Sequence, residues 1–351
     1  MSFETINETH SQSVQKYYGE VLQNSQDLRT SACCPLETMP RHIRPYLTRI
    51  HPEVQNRFYG CGSPIPHQLE GKTILDLGCG TGRDVYILSQ LVGKNGLVIG
   101  VDMTAKQLAV AREYLDYHMD LFGYQHPNVL LKQGFIEDLA AMGITDNSVD
   151  VVVSNCVINL AADKEQVFRE IFRVLKPGGE LYFSDVFSDR RIPPKLAEDP
   201  LILGECLGGA LYQEDFRRIL QRLGCQDVRT VSRSEIEIHD EQIARALGQI
   251  RFFSVTVRAF KLELEDRCEN FGHAAKYLGT IDAAPHAFVL DDHHTFPAGM
   301  YLSVCGNTAR MLSQTRFADH FEVLGDFHNH YGLFLCHPSD VAAVPGASPC
   351  C

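Results

Sequence analysis

Hydrophobic and polar positions alternate in a regular way from Gly71 onward. Short runs rich in β-branched residues are followed by stretches with helical periodicity, which is how a parallel sheet flanked by helices reads in a sequence. The first run, Thr73-Ile74-Leu75-Asp76-Leu77, predicts a strand. After a glycine-rich turn, Val85, Leu88, Leu91 and Val92 share one face of a helix that Gly93 stops. Leu97 to Asp102 is the second predicted strand. Thr104 with Gln107 forms a capping-box pattern opening a helix whose stripe is Leu108, Ala111, Leu115, Met119 and Phe122, ended by Gly123. Val129 opens a third strand, and Asp150 to Asn155 is a fourth, apolar enough to be covered on both faces. Asp163 with Gln166 caps a helix bearing Val167, Ile171 and Val174, which Pro177-Gly178-Gly179 ends before a fifth strand over Glu180 to Asp185.

The alternation then breaks. A Pro193-Pro194 loop and the small-residue stretch from Gly204 to Ala210 read as an insertion over the sheet's edge. Alternating runs near Val228 to Ile238 and Phe252 to Phe260 suit an antiparallel close of the same sheet. From about Lys261 the chain is rich in His, Gly and short strands, with a helix pattern only near Asn307 to Thr315, as in a small C-terminal domain ending in a tail.

Composition narrows the picture. With 351 residues, 44% hydrophobic and 22% charged, the chain is ordinary globular material, long enough for a main domain and a smaller one. A formal charge of −12 without a basic run argues against nucleic acid as a partner. No secretory signal or bilayer-length apolar run is present, so no membrane role and a reducing, cytoplasmic location are expected. Twelve cysteines in that setting are expected to be thiols. The close pairs, Cys33-Cys34 and Cys350-Cys351, are adjacent rather than spaced as zinc ligands.

The first turn reads Asp76-Leu77-Gly78-Cys79-Gly80-Thr81-Gly82-Arg83-Asp84. A dinucleotide site needs a third glycine where Arg83 stands, so pyrophosphate binding is disfavoured. Alternating glycines after an acid resemble the S-adenosylmethionine turn instead. Asp102, ending the second strand, is placed to accept ribose hydroxyls, and Glu137-Asp138 after the third strand to meet an adenine amine. Ligands of open α/β sheets sit beyond the strands' carboxyl ends, and there the fourth strand presents Asn155-Cys156. Cys61, in Arg57-Phe58-Tyr59-Gly60-Cys61-Gly62, and Cys206, in the glycine-rich insertion, fit no regular core pattern. Three converging thiolates would hold a soft, thiophilic centre.

Tyr59-Gly60-Cys61-Gly62, Ser154 to Leu160 and Gly204 to Tyr212 resemble segments of the arsenite methyltransferase family, and the likeness runs from about Tyr17 to Arg316-Phe317-Ala318. The resemblance implies a class I methyltransferase (Rossmann-like) α/β sheet with an arsenical-binding insertion and a small C-terminal domain. Residues 1–70 would form a thiol-bearing segment packing on the active site, 71–187 the S-adenosylmethionine domain, 188–262 the insertion with the closing strands, and 263–351 the C-terminal domain and tail. The expected cofactor set is Tyr59, Asp76, Gly78, Gly80, Gly82, Asp102, Met103, Gln107, Ile136, Glu137 and Asn155.

The family's cysteines carry over as Cys61, Cys156 and Cys206, ligands of arsenic(III), with a fourth in Ser31-Ala32-Cys33-Cys34. The doublet departs from the family's single cysteine; Cys33 fits the residues before it, and a one-residue gap would favour Cys34. The resemblance further implies arsenite or methylarsenite as acceptor, a disulfide between Cys33 or Cys34 and a ligand cysteine after each transfer, and thioredoxin or glutathione as reductant. Two rivals stand beside it: a methyltransferase for an organic small molecule with merely structural cysteines, and a thiol-based metalloid-binding protein without chemistry. Cys79, Cys225, Cys268, Cys305 and Cys336 read as packing residues. Cys350-Cys351 reads as a tail, able to scavenge metalloid or pass electrons, and His293-His294 with His328 and His330 as surface histidines.

Overall fold

A computed structural model describes residues 39–335 except Tyr59 and Cys61. Cys33, Cys34, Cys336, Cys350 and Cys351 also lie outside the described residues, so the expectations placed on them are not addressed by it. Two four-residue helices, α1 (Arg44–Leu47) and α2 (Pro52–Gln55), precede the sheet. Strands β1 (Thr73–Leu77), β2 (Leu97–Asp102), β3 (Val129–Gln133), β4 (Val149–Asn155) and β5 (Leu175–Ser188) are mutually parallel. The short β6 (Leu211–Tyr212) also runs parallel to β5, whereas β7 (Val228–Glu235) and β8 (Phe252–Phe260) close the sheet antiparallel, in the order β3-β2-β1-β4-β5-β8-β7.

The near-continuous apolar character of the central strands follows from cover on both faces. Ile74, Val98, Val151 and Val153 point into one core with Val85, Leu88 and Val92 of helix α3 (Arg83–Val92). Leu75, Leu77, Ile99, Val101 and Val152 point into the opposite one.

Three sequence expectations need correcting. The helix expected from Thr104 to Phe122 is two, α4 (Ala105–Glu113) and α5 (Leu115–Phe122). The break falls at Tyr114, whose ring stacks on His51 at 3.9 Å and whose carbonyl oxygen lies 2.6 Å from His118 Nδ1. Thr104 makes no side-chain cap, so the capping box does not form; its N–H donates to Asp102 at 2.7 Å instead. The fifth strand begins at Leu175, directly after helix α6 (Lys164–Val174), and carries Pro177-Gly178-Gly179 within it. Asp163 does cap α6, accepting from the Gln166 N–H at 2.9 Å.

The insertion holds two short helices, α7 (Pro194–Ala197) and α8 (Pro200–Gly204). Two further helices that the periodicity did not predict, α9 (Gln213–Arg222) and α10 (Glu241–Leu247), flank the closing strands. Beyond β8, strands β9 (His273–Tyr277), β12 (Tyr301–Val304) and β13 (Phe321–Leu324) form a small antiparallel sheet. The hairpin β10 (Ala287–Val289) with β11 (Thr295–Pro297) and helix α11 (Gly306–Ser313) pack around a separate apolar cluster that includes Phe288, Phe296 and Phe317.

Buried ions tie this region to the main sheet. Glu180 of β5 accepts from Arg258 Nε at 2.6 Å and pairs with Arg316, all three side chains being at most 6% exposed. Arg316 also donates to the His67 carbonyl at 2.8 Å, and Arg258 to that of Leu290 at 2.6 Å. Arg229 of β7 similarly joins Asp227 to Asp291.

Candidate active site

The first glycine turn opens the site. Gly78, Gly80 and Gly82 have φ of 71°, 54° and 90°, values that an L side chain rarely adopts, so the chain can reverse tightly between β1 and α3. A Cβ on Gly78 would fall 2.3 Å from a Val157 methyl, while one on Gly80 would meet nothing within 4 Å. Gly80 thus leaves its backbone bare toward the cavity that opens beyond the end of β1.

Of the expected cofactor residues, Asp76, Gly78, Gly80, Asp102, Met103, Gln107, Ile136, Glu137 and Asn155 line this cavity. Gly82 does not. It is the N-cap of α3, held close to Tyr86 and Ala111. Tyr59 and Cys61 lie outside the described residues.

Asp102 accepts from the Gly80 N–H at 2.9 Å as well as from Thr104, so one carboxylate ties the glycine turn to the start of α4 and still faces the cavity. Burial pushes its carboxyl up, with those two N–H donors opposing. Asp76 is pushed much further, first by burial and then by the charges of Asp84 and Asp102, with only Arg83 pulling it down. A cation beside Asp76 would reverse that balance. Cofactor binding should therefore expel a proton from Asp76, and affinity for the positively charged S-adenosylmethionine should rise with pH as that carboxyl ionises. Titration calorimetry in buffers of different ionisation enthalpy checks this; heats independent of the buffer would show Asp76 already ionised in the free protein.

Glu137 also lines the cavity, with Oε1 accepting the Ala162 N–H at 3.1 Å. Asn155 does more than line the cavity. It accepts the Gly62 N–H at 3.2 Å, donates to the Gly62 carbonyl at 2.9 Å, and donates to Asp84 at 3.1 Å. A carboxylate therefore stands beside Asn155, and it is ion-paired with Arg83 at 2.8 Å. Arg83 lies against the Phe58 ring, and Arg57 and Phe58 complete the cavity wall. Sequence reasoning passed over Arg83 and Asp84, although both stand at the head of α3 in the cofactor turn.

Beyond the cofactor wall the cysteines approach one another. Cys156 follows β4 directly, with its N–H donating to the Ser184 carbonyl at 2.9 Å. Cys206 follows α8, and its Sγ lies 3.7 Å from the Cys156 carbonyl oxygen. Both residues are in the left-handed region, with φ of 56° and 61°, and are only 4% and 6% exposed. Such a conformation costs a non-glycine residue about 1–3 kcal/mol and tends to persist where function requires it. Cys156 is disulfide-bonded, which corrects the expectation of thiols throughout.

Cys79, Cys225 and Cys305 fit packing roles. Burial raises the Cys79 thiol strongly and pushes Cys225 up to about 12, so neither is a nucleophile near neutral pH. Cys305 caps α11, accepting from the Thr308 N–H at 3.5 Å. His294 pairs with Asp291, His328 with Asp326 and His330 with Glu269. Among the described residues no group of three or more His, Cys, Asp or Glu is arranged to hold a metal ion.

A sheet in this order, with an acid and a glycine turn after the first strand and a second acid ending the next, defines a class I S-adenosylmethionine-dependent methyltransferase. Two family models agree with this assignment: a methyltransferase domain over residues 68–224, and an arsenite methyltransferase C-terminal domain over residues 272–330. An arsenite methyltransferase of Aquipseudomonas alcaligenes is 55% identical over 97% of this chain and 99% of its own length. The human arsenite methyltransferase is 45% identical over 88% of this chain and 82% of its own. The crystal structure of an arsenic(III) S-adenosylmethionine methyltransferase from Chlamydomonas reinhardtii superposes with a TM-score of 0.81 at 47% identity, covering 84% of this chain and 99% of that one. The chain belongs to the arsenite methyltransferase family.

Proposed function

We infer that this protein moves methyl groups from S-adenosylmethionine to arsenic(III) held by cysteine thiolates, with Cys61, Cys156 and Cys206 as the ligands. The observation that carries this reading is the approach of Cys206 Sγ to the backbone of Cys156, a cavity-lining residue at the end of β4. Thiolates are soft donors suited to a thiophilic centre. Arsenic bound by three sulfurs is pyramidal, with its lone pair directed away from them.

The cofactor supplies a methyl group made electrophilic by its sulfonium. The protein's part is to hold the lone pair in line with that methyl, and positioning of this kind needs no general base. The arsenic–carbon bond forms as the carbon–sulfonium bond breaks, its electron pair going to sulfur to leave a neutral thioether. Arsenic is formally oxidised by two electrons. A pair of cysteine thiols, Cys33 or Cys34 with a ligand cysteine, returns them by forming a disulfide, and thioredoxin or glutathione regenerates the thiols by exchange. The disulfide at Cys156 supports such a cycle. Ligation requires deprotonated sulfur, so arsenite capture should weaken as the pH falls.

The acceptor is arsenite or methylarsenite. Among the described residues no helix is long and apolar enough to cross a membrane. The deciding experiment is arsenite-dependent formation of S-adenosylhomocysteine by the reduced protein with thioredoxin or glutathione present. Turnover without arsenite, on an organic acceptor, would overturn the reading. So would arsenite binding without S-adenosylhomocysteine, which would make the protein a metalloid sink.

A further inference from the structure

Asp185 and Asn159 are buried polar residues that neither the cofactor wall nor the thiolate set employs, each 1% exposed. Asp185 stands near the end of β5. One of its oxygens accepts the Asn159 N–H at 3.1 Å and the other the Val186 N–H at 2.8 Å. The Asn159 side chain donates to the Val186 carbonyl at 2.5 Å. The short turn that follows Cys156 is thereby fastened to β5 at both the main chain and the side chain of Asn159.

The other surface of that turn receives the Cys206 loop. A Cβ on Gly209 would lie 2.0 Å from the Asn159 carbonyl oxygen, so Gly209 is in backbone contact that no larger residue could make. Asn159 is consequently the piece of chain between the two cysteine segments, gripped by Asp185 on one side and covered by Gly209 on the other.

We propose that Asp185 and Asn159 are positioning residues for the acceptor: they hold the left-handed turn of Cys156 against the Cys206 loop, so that both sulfurs stay within reach of one arsenic atom. This rests on the reading of Cys156 and Cys206 as arsenic ligands. Groups that orient a ligand from outside its coordination sphere typically govern about 10–100-fold in affinity. Asparagine in place of Asp185 keeps the volume but presents one acceptor and one amide donor to two N–H donors, so one of those bonds is lost and two donors oppose each other.

The test uses the full-length protein, reduced beforehand with a phosphine, in four forms: wild type, Asp185→Asn, Gly209→Ala and Cys206→Ser. Phenylarsine oxide, which is retained only by two thiols acting together, is the probe, and its release to competing dithiol is timed. S-adenosylmethionine affinity and circular dichroism are recorded on the same samples. Asp185→Asn and Gly209→Ala should each release the probe about 10–100-fold faster with cofactor affinity unchanged. Gly209→Ala leaves every polar group in place, so it tests the contact even if Asp185→Asn folds poorly. Wild-type release from both variants would overturn the bracket, as would loss of cofactor affinity in parallel with capture, which marks general support of the fold. Wild-type release from Cys206→Ser would instead refute the ligand assignment.

Discussion

Replacing Cys206 by serine should lower arsenite-dependent methylation by at least ~100-fold while leaving S-adenosylmethionine binding close to that of the wild type. The magnitude follows from the chemistry of the donor. A hydroxyl does not ionise near neutral pH and is a hard ligand, so the loss should be no smaller than that caused by disturbing an outer-shell partner. Structurally the change is small, because serine is of similar shape and the left-handed backbone at Cys206 is strained for either residue. Cys206 does not line the cofactor cavity, so calorimetric affinity for the methyl donor should separate the acceptor defect from misfolding. Cys156→Ser should show the same loss of turnover. If both variants kept turnover within a few-fold of wild type, the cysteines would be structural and the acceptor organic.

The largest effect on stability is expected at Glu180, far from the reacting atoms. Its carboxylate is fully buried between Arg258 and Arg316; burial opposes its charge, but the two guanidinium groups outweigh that and hold it below the usual carboxylate range. Glu180→Gln would leave two buried cations sharing a neutral amide. Removing one partner from such a cluster costs about 3–5 kcal/mol, because the remaining charge stays desolvated. We expect a large drop in the denaturant midpoint and early detachment of the C-terminal region, seen as faster amide exchange around Phe288 and Phe317. Glu165→Gln, which breaks the solvent-exposed pair with Arg222, should leave the midpoint nearly unchanged and serves as the control. Equal effects from the two substitutions would mean that the buried triad does not join the regions.

Much of the cofactor half was legible because its signals are short in range. Asp76, the alternating glycines and Asp102 are separated by one turn and one strand–helix unit; Asp76, Gly78, Gly80 and Asp102 line one cavity, whereas Gly82 caps α3 away from it. The errors arose where tertiary contacts override local pattern. Tyr114 interrupts a helix whose apolar stripe runs through it, and there its ring stacks on His51, a contact of which the sequence pattern gives no sign. Thr104 does not cap because its hydroxyl as well as its N–H bonds Asp102. The carboxylate of Asp84 beside Asn155 was missed because 71 positions separate them.

What the sequence determined by itself is the class of fold and the methyl donor, since strand period, turn glycines and strand-end acids act over a few residues and leave a periodic trace. Only the tertiary structure brought Cys206 to Cys156 across 50 positions, and only it buried Glu180 between arginines from two distant segments. Neither meeting leaves such a trace. Each depends on how β5 stacks against the insertion and the C-terminal region, and therefore on the packing of the whole chain.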